Sequence, residues 1–307
     1  MVFFNEGKKG AKHSIMHSIN SETCKKCGLC AEMCPNGIID QAESGEVKFR
    51  PERLSLCVRC GHCMAVCPTK SIISGGLSYE EEFFDLPKRD TGDDYFSNLI
   101  ASRRSIRNFQ DKPIPGEILQ KVVDAISMAP MGFPPHKVEV TIIQNREMIE
   151  KALPPMLKLY EDFLKWMRNP LARFFMKRMM KLETFNTIQN HLAPSMEKGL
   201  PEMKEKGRDI FTRGAPALIL FHAPRGSENH TEDIYIDLTY GFLAAHSLGL
   251  GATAIGLIPP AVERNKDLRK LFQIPKDNEV LASMIVGYPK VSFKRGIKRK
   301  LAKVTWI

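Results

Sequence analysis

The sequence predicts an α+β protein in two parts, and three observations lead to this prediction. All eight cysteines lie between Cys24 and Cys67, and none occurs later in the 307-residue chain. Residues 77–93 combine acidic residues, a proline and a glycine, a composition typical of a connector. From residue 94 onwards, helical patterns are mixed with only a few strand patterns, which favours α+β over a doubly wound parallel sheet. We therefore expect a cysteine-rich domain at 13–76, a linker at 77–93 and a larger domain at 94–307.

The composition is that of an ordinary globular protein. Hydrophobic residues make up 43% of the chain and charged residues 26%. No apolar run is long enough to cross a membrane and the first residues lack a signal-peptide pattern, so we expect a cytoplasmic protein with no integral membrane segment. The formal charge of +10 is compatible with a phosphate ligand or an acidic partner. Because none of the usual nucleic-acid-binding motifs is present, we expect no nucleic-acid partner.

The cysteines form two copies of one run, C-x₂-C-x₂-C-x₃-C-P, at Cys24–Pro35 and Cys57–Pro68. This is the run that holds cubane clusters in bacterial-type ferredoxins. Zinc is the alternative, but zinc is usually held by paired C-x₂-C knuckles. Here each run adds a third cysteine after two more residues and a fourth before proline. The pattern therefore predicts two 4Fe–4S clusters.

The resemblance to bacterial-type two-cluster ferredoxins implies crossed ligand sets. Three cysteines of one run bind one cluster, and the fourth binds the other cluster. The implied sets are Cys24, Cys27, Cys30 and Cys67 for the first cluster, and Cys57, Cys60, Cys63 and Cys34 for the second. Gly28 and Gly61 lie within the loops, where the backbone must approach the cluster closely.

The larger domain begins with two predicted helices. One starts at Asp93 and carries apolar residues on one face, and the other starts near Pro115 and stops at Pro130. The later elements are predicted in the order strand 138–143, strand 217–221, helix 232–248, strand 249–258, helix 261–271 and strand 281–289.

A long helical stretch rich in Met, Phe, Lys and Arg is predicted at 145–213. Its central part, at 155–182, includes the sequence FLKWMRNPLARFFMKRMMKL. This part has three interpretations: a lid over a binding pocket, a subunit interface, or a basic amphipathic helix on a membrane surface. We favour a lid or an interface, because Pro170 interrupts the pattern and methionine is an adaptable filler of such pockets.

Three guanidinium groups and one hydroxyl are concentrated at Arg103–Arg107, although a basic segment alone is common on protein surfaces. It is followed by an Ala-Pro loop at 129–136, a glycine-rich segment at 249–256, and a Gly-Tyr-Pro sequence with a basic tail. With these motifs, residues from about 95 to 307 resemble the nitroreductase family of FMN enzymes. Nearly the whole chain resembles ferredoxin-fused nitroreductases. The resemblance implies a mixed sheet flanked by helices, with a helical lid insertion.

The resemblance also implies which residues bind FMN. The candidates for the phosphate, the ribityl chain and the ring edge are Arg103, Arg104, Ser105 and Arg107. Arginine suits a phosphate because it donates bidentate, charge-assisted hydrogen bonds. The late basic phosphate contact of the family matches Arg295, with weaker candidates at Lys294, Lys298 and Arg299. Main-chain groups that would face the flavin ring belong to Ala254, Gly256 and Leu257.

The Ala-Pro loop departs from the family pattern. Many members carry Ser and Asn there, followed by Gln-Pro-Trp, whereas this chain has Met-Gly-Phe-Pro-Pro-His-Lys at 131–137. Pro130, Met131 and Gly132 remain candidates for contacts through the loop backbone. His136 is a candidate for a ring contact and for the catalytic proton donor; the alternative is a histidine with an ordinary hydrogen-bonding role.

The resemblance implies an FMN-dependent oxidoreductase that forms a homodimer with the flavin at the subunit interface. Electrons would pass from an external donor, reduced ferredoxin or NAD(P)H, through both clusters to FMN and on to a nitro compound, a quinone or another electrophilic small molecule. Alternatives are reduction of an activated alkene or a carbon–halogen bond, a redox sensor, or an electron-transfer subunit. The terminal segment at 303–307 would be a strand that embraces the partner subunit or a strand of its own sheet.

Overall fold

A computed structural model describes residues 17–34, 36–83, 93–291, 293 and 301–307. The chain divides into two compact units. The first unit holds the described residues up to 83 together with Phe133–His136, and the second holds 93–132 and the described residues from 137 onwards. The domain limits at 76 and 94 stay a prediction.

The first unit consists of two β-ribbons and short helices. Its elements are β1 (Ser18–Ile19), α1 (Leu29–Glu32), β2 (Ile39–Gln41), β3 (Val47–Phe49), a 3₁₀ helix (Pro51–Leu56), α2 (His62–Ala65), β4 (Ile72–Ile73) and α3 (Tyr79–Glu82). Strand β1 pairs with β4 and β2 pairs with β3, both antiparallel. Helix α3 falls within the predicted linker, and the Tyr79 hydroxyl donates to the Met64 carbonyl at 3.1 Å. The first residues of that segment therefore pack on the first unit.

The second unit is built on a four-stranded sheet. Its strands are β5 (Glu139–Ile143), β6 (Ala217–Pro224), β7 (Gly251–Ala254) and β8 (Asn278–Gly287), in the spatial order β5–β6–β8–β7. All neighbouring pairs are antiparallel. Among the described residues of this unit, parallel pairing occurs only at the bridge between Ser105 and Ala252.

Helices cover both faces of this sheet. They are α4 (Asp93–Ser102), α5 (Gly116–Ser127), α6 (Arg146–Arg168), α7 (Pro170–Met179), α8 (Leu182–Thr187), a π-helical turn (Ile188–Leu192), α9 (Ala193–Lys206), α10 (His230–Ser247), α11 (Ile258–Arg264) and α12 (Lys266–Leu271). Leu218 and Leu220 of β6 pack into one core with α6, α9, α11 and α12. Ile219 and Phe221 pack into a second core with α5 and α10. The predicted α+β class and the sheet flanked by helices are confirmed.

Two element predictions were wrong in detail. The strand expected at 249–258 is only Gly251–Ala254, because the chain turns at Gly249, whose φ is 77°. The helix expected at 261–271 is two helices, because the Asn265 side chain accepts hydrogen bonds from the first N–H groups of α12 and starts a new helix. The terminal segment forms no strand within the described residues 301–307, and Trp306 is 92% exposed. It is therefore not a strand of its own sheet, and a strand that embraces the partner subunit stays a prediction.

The long helical stretch is present and is interrupted where expected. Helix α6 ends at Arg168, and Asn169 caps α7, whose first residue is Pro170. In the part of the chain that the structure describes, no helix is both long enough and apolar enough to cross a membrane.

Gly251 permits a close approach between β7 and the segment that carries the predicted basic motif. The Ile106 N–H donates to the Ala252 carbonyl at 3.1 Å, and a Cβ at position 251 would lie 2.5 Å from Ile106 Cγ1. We expect Gly251→Ala to lower the free energy of unfolding by about 1–3 kcal/mol through overpacking, as measured by anaerobic urea denaturation. Gly116→Ala is the matched control, because a Cβ there meets no atom within 4 Å. Equal losses in both variants would contradict this account.

Candidate functional site

Two small cavities in the first unit are each surrounded by four cysteines. One is lined by Cys24, Cys27, Cys30 and Cys67, and the other by Cys57, Cys60, Cys63 and Cys34. These are the two crossed sets that the ferredoxin resemblance implies. Four thiols around a cavity are the donor set of a 4Fe–4S cubane, so the residues fit that group. Within the described ranges, no group of three or more His, Cys, Asp or Glu side chains is arranged to hold a single metal ion.

The two cysteine loops have the same backbone conformation. Lys26 and Arg59 have φ angles of 55° and 56°, and Gly28 and Gly61 have 74° and 73°. A Cβ at Gly28 would also lie 2.1 Å from Gln41 Oε1. The left-handed conformation favours glycine there, and a larger residue would also displace the Gln41 side chain.

The fourth cysteine of each run accepts a backbone hydrogen bond. Ile38 N–H donates to Cys34 Sγ at 3.4 Å, and Ser71 N–H donates to Cys67 Sγ at 3.3 Å. The Thr69 hydroxyl lies 3.8 Å from Cys67 Sγ. Hydrogen bonds to cluster sulfurs are one of the factors that set cluster potentials.

The thiols differ in their readiness to ionise. Burial raises the pKa of the Cys30 thiol and raises the pKa of Cys63 to about 11. At Cys67, burial also raises the pKa, but hydrogen bonds from the neighbourhood of Thr69 and Ser71 outweigh it, and the net pKa is lowered. Cys67 is therefore the easier of these thiols to deprotonate, as a ligand must be.

The predicted basic motif is divided between two places. The Arg103 guanidinium lies 5.9 Å from the centre of the Phe242 ring on α10, and Arg104 donates to the Arg103 carbonyl at 2.5 Å. Burial lowers the pKa of His246 on the same helix, and the charges of these two arginines lower it further. Arg103 and Arg104 therefore lie beside α10.

Arg107 lies instead near Arg213, a residue that the sequence analysis missed. Burial lowers the pKa of Arg213, and the positive charges of Arg107 and Arg208 lower it further, against the opposite effect of Asp209. The Asp209 carboxylate accepts hydrogen bonds from three N–H groups of the loop that follows it, and this loop presents Arg213 with a φ of 54°. Two guanidinium groups close enough to affect each other electrostatically make this region favourable for an anionic ligand.

A cavity of about 270 Å³ lies beside Arg107, whereas Arg213 lines a different cavity. The cavity beside Arg107 is lined by Ser105 and Arg107, and on its other walls by Ile106, Asn108, Val291 and Phe293. The predicted phosphate contact Arg295, and the weaker candidates Lys294, Lys298 and Arg299, lie outside the described residues. The hydroxyl and the guanidinium that line this cavity have the donor chemistry that a phosphate needs.

The predicted ring-contact segment is a turn held from two sides. Ser283 of β8 donates through its hydroxyl to the Ile255 carbonyl at 2.7 Å, and the Tyr160 hydroxyl of α6 donates to the Leu257 carbonyl at 2.5 Å. Burial raises the pKa of Tyr160, so the hydroxyl remains a neutral donor. Gly256 and Ala254 are exposed, and their main-chain groups are accessible to a ligand.

A larger apolar cavity of about 680 Å³ begins at this turn. Gly256 and Leu257 form one wall. The helical stretch supplies most of the remainder, including Tyr160, Phe163, Trp166, Met176, Met179 and Met180. Helices α6 and α7 therefore line a pocket, as the lid interpretation requires.

The Ala-Pro loop is tied to α10. Gly132 N–H donates to Asp233 Oδ1 at 2.9 Å, and Asp233 is only 3% exposed. A Cβ at Gly132 would lie 2.0 Å from Asn229 Nδ2, so this glycine is needed for packing. Asp233 was missed, although an acid in the first turn of a helix is a recognisable signal. Pro130 and Met131 are exposed.

His136 belongs to a different unit from the predicted flavin residues of the second unit. The segment Phe133–His136 is counted with the first unit, whereas the arginines and the 254–257 turn belong to the second. Its roles in ring contact and in proton donation stay a prediction.

Comparisons with known proteins agree with this organisation. The family model described as Nitroreductase family matches residues 100–288, and the model described as 4Fe-4S dicluster domain matches residues 23–71. A Methanothermobacter thermautotrophicus protein, provisionally named NADH dehydrogenase/NAD(P)H nitroreductase, is 26% identical over 194 residues, covering 62% of this chain and 75% of its own. The Bacillus subtilis protein named FMN reductase (NAD(P)H) is 24% identical over 196 residues, covering 62% of this chain and 64% of its own.

A solved structure shares the fold of the second unit. The Bacteroides fragilis nitroreductase with bound FMN superposes with a TM-score of 0.52 at 18% identity, covering 69% of this chain and 97% of that one. The protein is thus an α+β oxidoreductase with a cluster-binding domain. Because the nitroreductase match spans more than half of the sequence, the chain belongs to the nitroreductase family, and it carries a 4Fe–4S dicluster domain as predicted.

The crossed cysteine sets make a specific prediction for paired substitutions. We expect Cys34→Ala to disrupt the cluster of the Cys57 run and to spare the other, as measured by iron content and by electron paramagnetic resonance of the reduced protein. Adding Cys60→Ala should then cause little further loss, because both residues line the same cavity. Adding Cys27→Ala should disrupt the cluster of the Cys24 run as well, because Cys27 lines the other cavity. The reverse order of losses would show that the ligand sets are not crossed.

Proposed function

We propose that this protein is an FMN-dependent oxidoreductase. It takes electrons from a low-potential external donor and passes them through two 4Fe–4S clusters and FMN to a small electrophilic acceptor. The observation that carries the proposal is the presence of two four-cysteine cavities in the same chain as a nitroreductase domain. FMN is supported by the B. subtilis relative named for FMN reduction and by the B. fragilis nitroreductase with bound FMN.

The proposed FMN site combines anion-binding side chains with an accessible main-chain turn. Ser105 and Arg107 line the 270 Å³ cavity and would hold the phosphate, with Arg295 from the following segment. Arg213 lines a different cavity, but its positive charge acts on Arg107 and adds to the attraction for an anion in this region. The turn at 254–257 would present main-chain groups to the ring, held in place by Ser283 and Tyr160.

In the proposed reaction the cofactors supply the electrons, and the apolar cavity binds the acceptor. Bound clusters supply single electrons, and bound FMN delivers two electrons together. Reduction of a nitro group to a nitroso group takes two electrons and two protons and releases water; reduction of a quinone to a hydroquinone takes the same electrons and protons. The apolar cavity lined by α6 and α7 would bind the acceptor and exclude water, and His136 is the proposed proton donor.

The donor is either reduced ferredoxin or NAD(P)H. We favour reduced ferredoxin, because a two-cluster domain accepts single electrons from a one-electron carrier. The names of both curated relatives include NADH or NAD(P)H, which supports the nicotinamide alternative.

Anaerobic stopped-flow absorbance of the holoprotein tests the relay. On mixing with reduced ferredoxin, we expect cluster absorbance to fall before flavin absorbance, and a nitroaromatic added afterwards to reoxidise both. The matched variant is Cys34→Ala, which changes the first unit alone. In this variant, flavin reduction by ferredoxin should slow by at least an order of magnitude, while the amount of bound flavin stays the same. A flavin that is reduced but never reoxidised by nitro compounds or quinones would favour a redox sensor or an electron-transfer subunit.

We also propose that the protein is a homodimer. Helices α4 and α10 expose large apolar side chains, including Tyr95 at 70% and Tyr235 at 54% exposure, and the terminal segment exposes Trp306. Monomers rarely leave such surfaces uncovered.

Sedimentation velocity of the full chain should therefore give twice the mass of one chain. Replacing Tyr95 and Tyr235 with serine should shift the monomer–dimer equilibrium towards monomer, because it removes apolar area that the dimer would bury. The Leu301→Ser variant, which changes an exposed side chain of the terminal segment, is the comparison for that segment. A monomer at micromolar concentration in the wild-type protein would contradict the dimer.

A further inference from the structure

Helix α7 and the residues on either side of it form a surface that is both apolar and basic. The exposed apolar side chains of this surface, which we call the α7 surface, are Trp166, Leu171, Phe174, Phe175, Met179 and Leu182. Phe174 and Phe175 are 62% and 58% exposed, and Met179 is 86% exposed. Ala172 and Met176 are the buried residues of the helix and face the core. The aromatic side chains are therefore not needed to hold α7 on the protein.

The segment that forms this surface carries charge of a single sign. Residues 163–182 contain six basic residues and no acidic residue. They are Lys165, Arg168, Arg173, Lys177, Arg178 and Lys181. Lys165 and Arg168 pair with Asp162 and Glu197. Within the described ranges, the side chains of Lys177, Arg178 and Lys181 make no ion pair.

From this arrangement we propose that the α7 surface binds the surface of an anionic phospholipid bilayer. A short helix with aromatic and aliphatic side chains on its exposed face, bordered by lysine and arginine, is the pattern of helices that lie in the membrane interface. The apolar side chains enter the boundary between headgroups and acyl chains, and the basic side chains remain at the level of the lipid phosphates.

Charge complementarity selects this occupant over a second copy of the chain. An isologous contact would place the same six basic residues of two copies against each other, and this like-charge contact would oppose association. An anionic bilayer presents the opposite charge over an area as wide as the surface itself.

The position of the apolar cavity agrees with the proposal. Trp166 and Met179 are exposed on the α7 surface and also line the 680 Å³ cavity that reaches Gly256 and Leu257. A protein bound through this surface would hold the mouth of its apolar cavity at the membrane, where lipid-soluble acceptors such as quinones are found.

Vesicle flotation of the anaerobically purified full chain tests the proposal without any electron donor or acceptor. We expect binding to vesicles of phosphatidylcholine and phosphatidylglycerol in equal amounts, little binding to phosphatidylcholine alone, and weaker binding as salt is raised. Each basic residue contributes about fivefold to such binding, so Lys177→Gln with Arg178→Gln should weaken it on the order of twentyfold. Phe174→Ser with Phe175→Ser should weaken it as well.

The matched control is Lys266→Gln with Lys270→Gln on α12, which removes the same charge from two exposed residues elsewhere and should leave binding unchanged. Circular dichroism and iron content establish that each variant is folded. The proposal is overturned if the wild-type protein does not bind anionic vesicles, or if the control weakens binding as much as the α7 variants. It is also overturned if the phenylalanine variant dissociates an oligomer while no vesicle binding is found, since the surface then belongs to a second copy.

Discussion

The two-sided burial of strand β6 is the constraint on which the second unit depends. Its side chains alternate between two cores, so that Leu220 packs with the helical insertion and Phe221 packs with α5 and α10. Strand β6 has β5 on one side and β8 on the other, and β8 in turn pairs with β7. The turn at 254–257 follows the edge strand β7, and Arg213 lies on the loop that leads into β6. A strand buried on both faces is nearly all hydrophobic, as this one is.

The features that could be predicted from the sequence are those that the spacing of residues along the chain determines directly. The two cysteine runs predict their cavities because three thiols in one tight loop and a fourth beyond it leave little geometric freedom. The apolar run at 217–221 likewise predicts a buried strand. Local conformation was harder to predict: the left-handed turn at Gly249 and the cap at Asn265 shorten or divide elements in ways that hydrophobic periodicity does not reveal.

The arrangement of the arginines could not be predicted from the motif alone. Arg103 and Arg107 are four positions apart in sequence, yet one lies beside Phe242 and the other near Arg213. Proximity in sequence suggested one cluster, whereas the bridge from Ser105 to β7 separates the two sides of the segment. Arg213 belongs to no recognisable pattern, and only the tertiary structure brings it within electrostatic range of Arg107.

The crossing of the cysteine sets has a consequence for the order of events during synthesis. When the first run has left the ribosome, it offers three thiols to one cavity and a single thiol to the other, so neither ligand set is complete. The set that contains Cys34 is completed when Cys63 emerges, and the other set is completed shortly afterwards by Cys67. Both ligand sets therefore become complete almost together as the second run emerges, and a chain that stops between the two runs can hold no complete cluster.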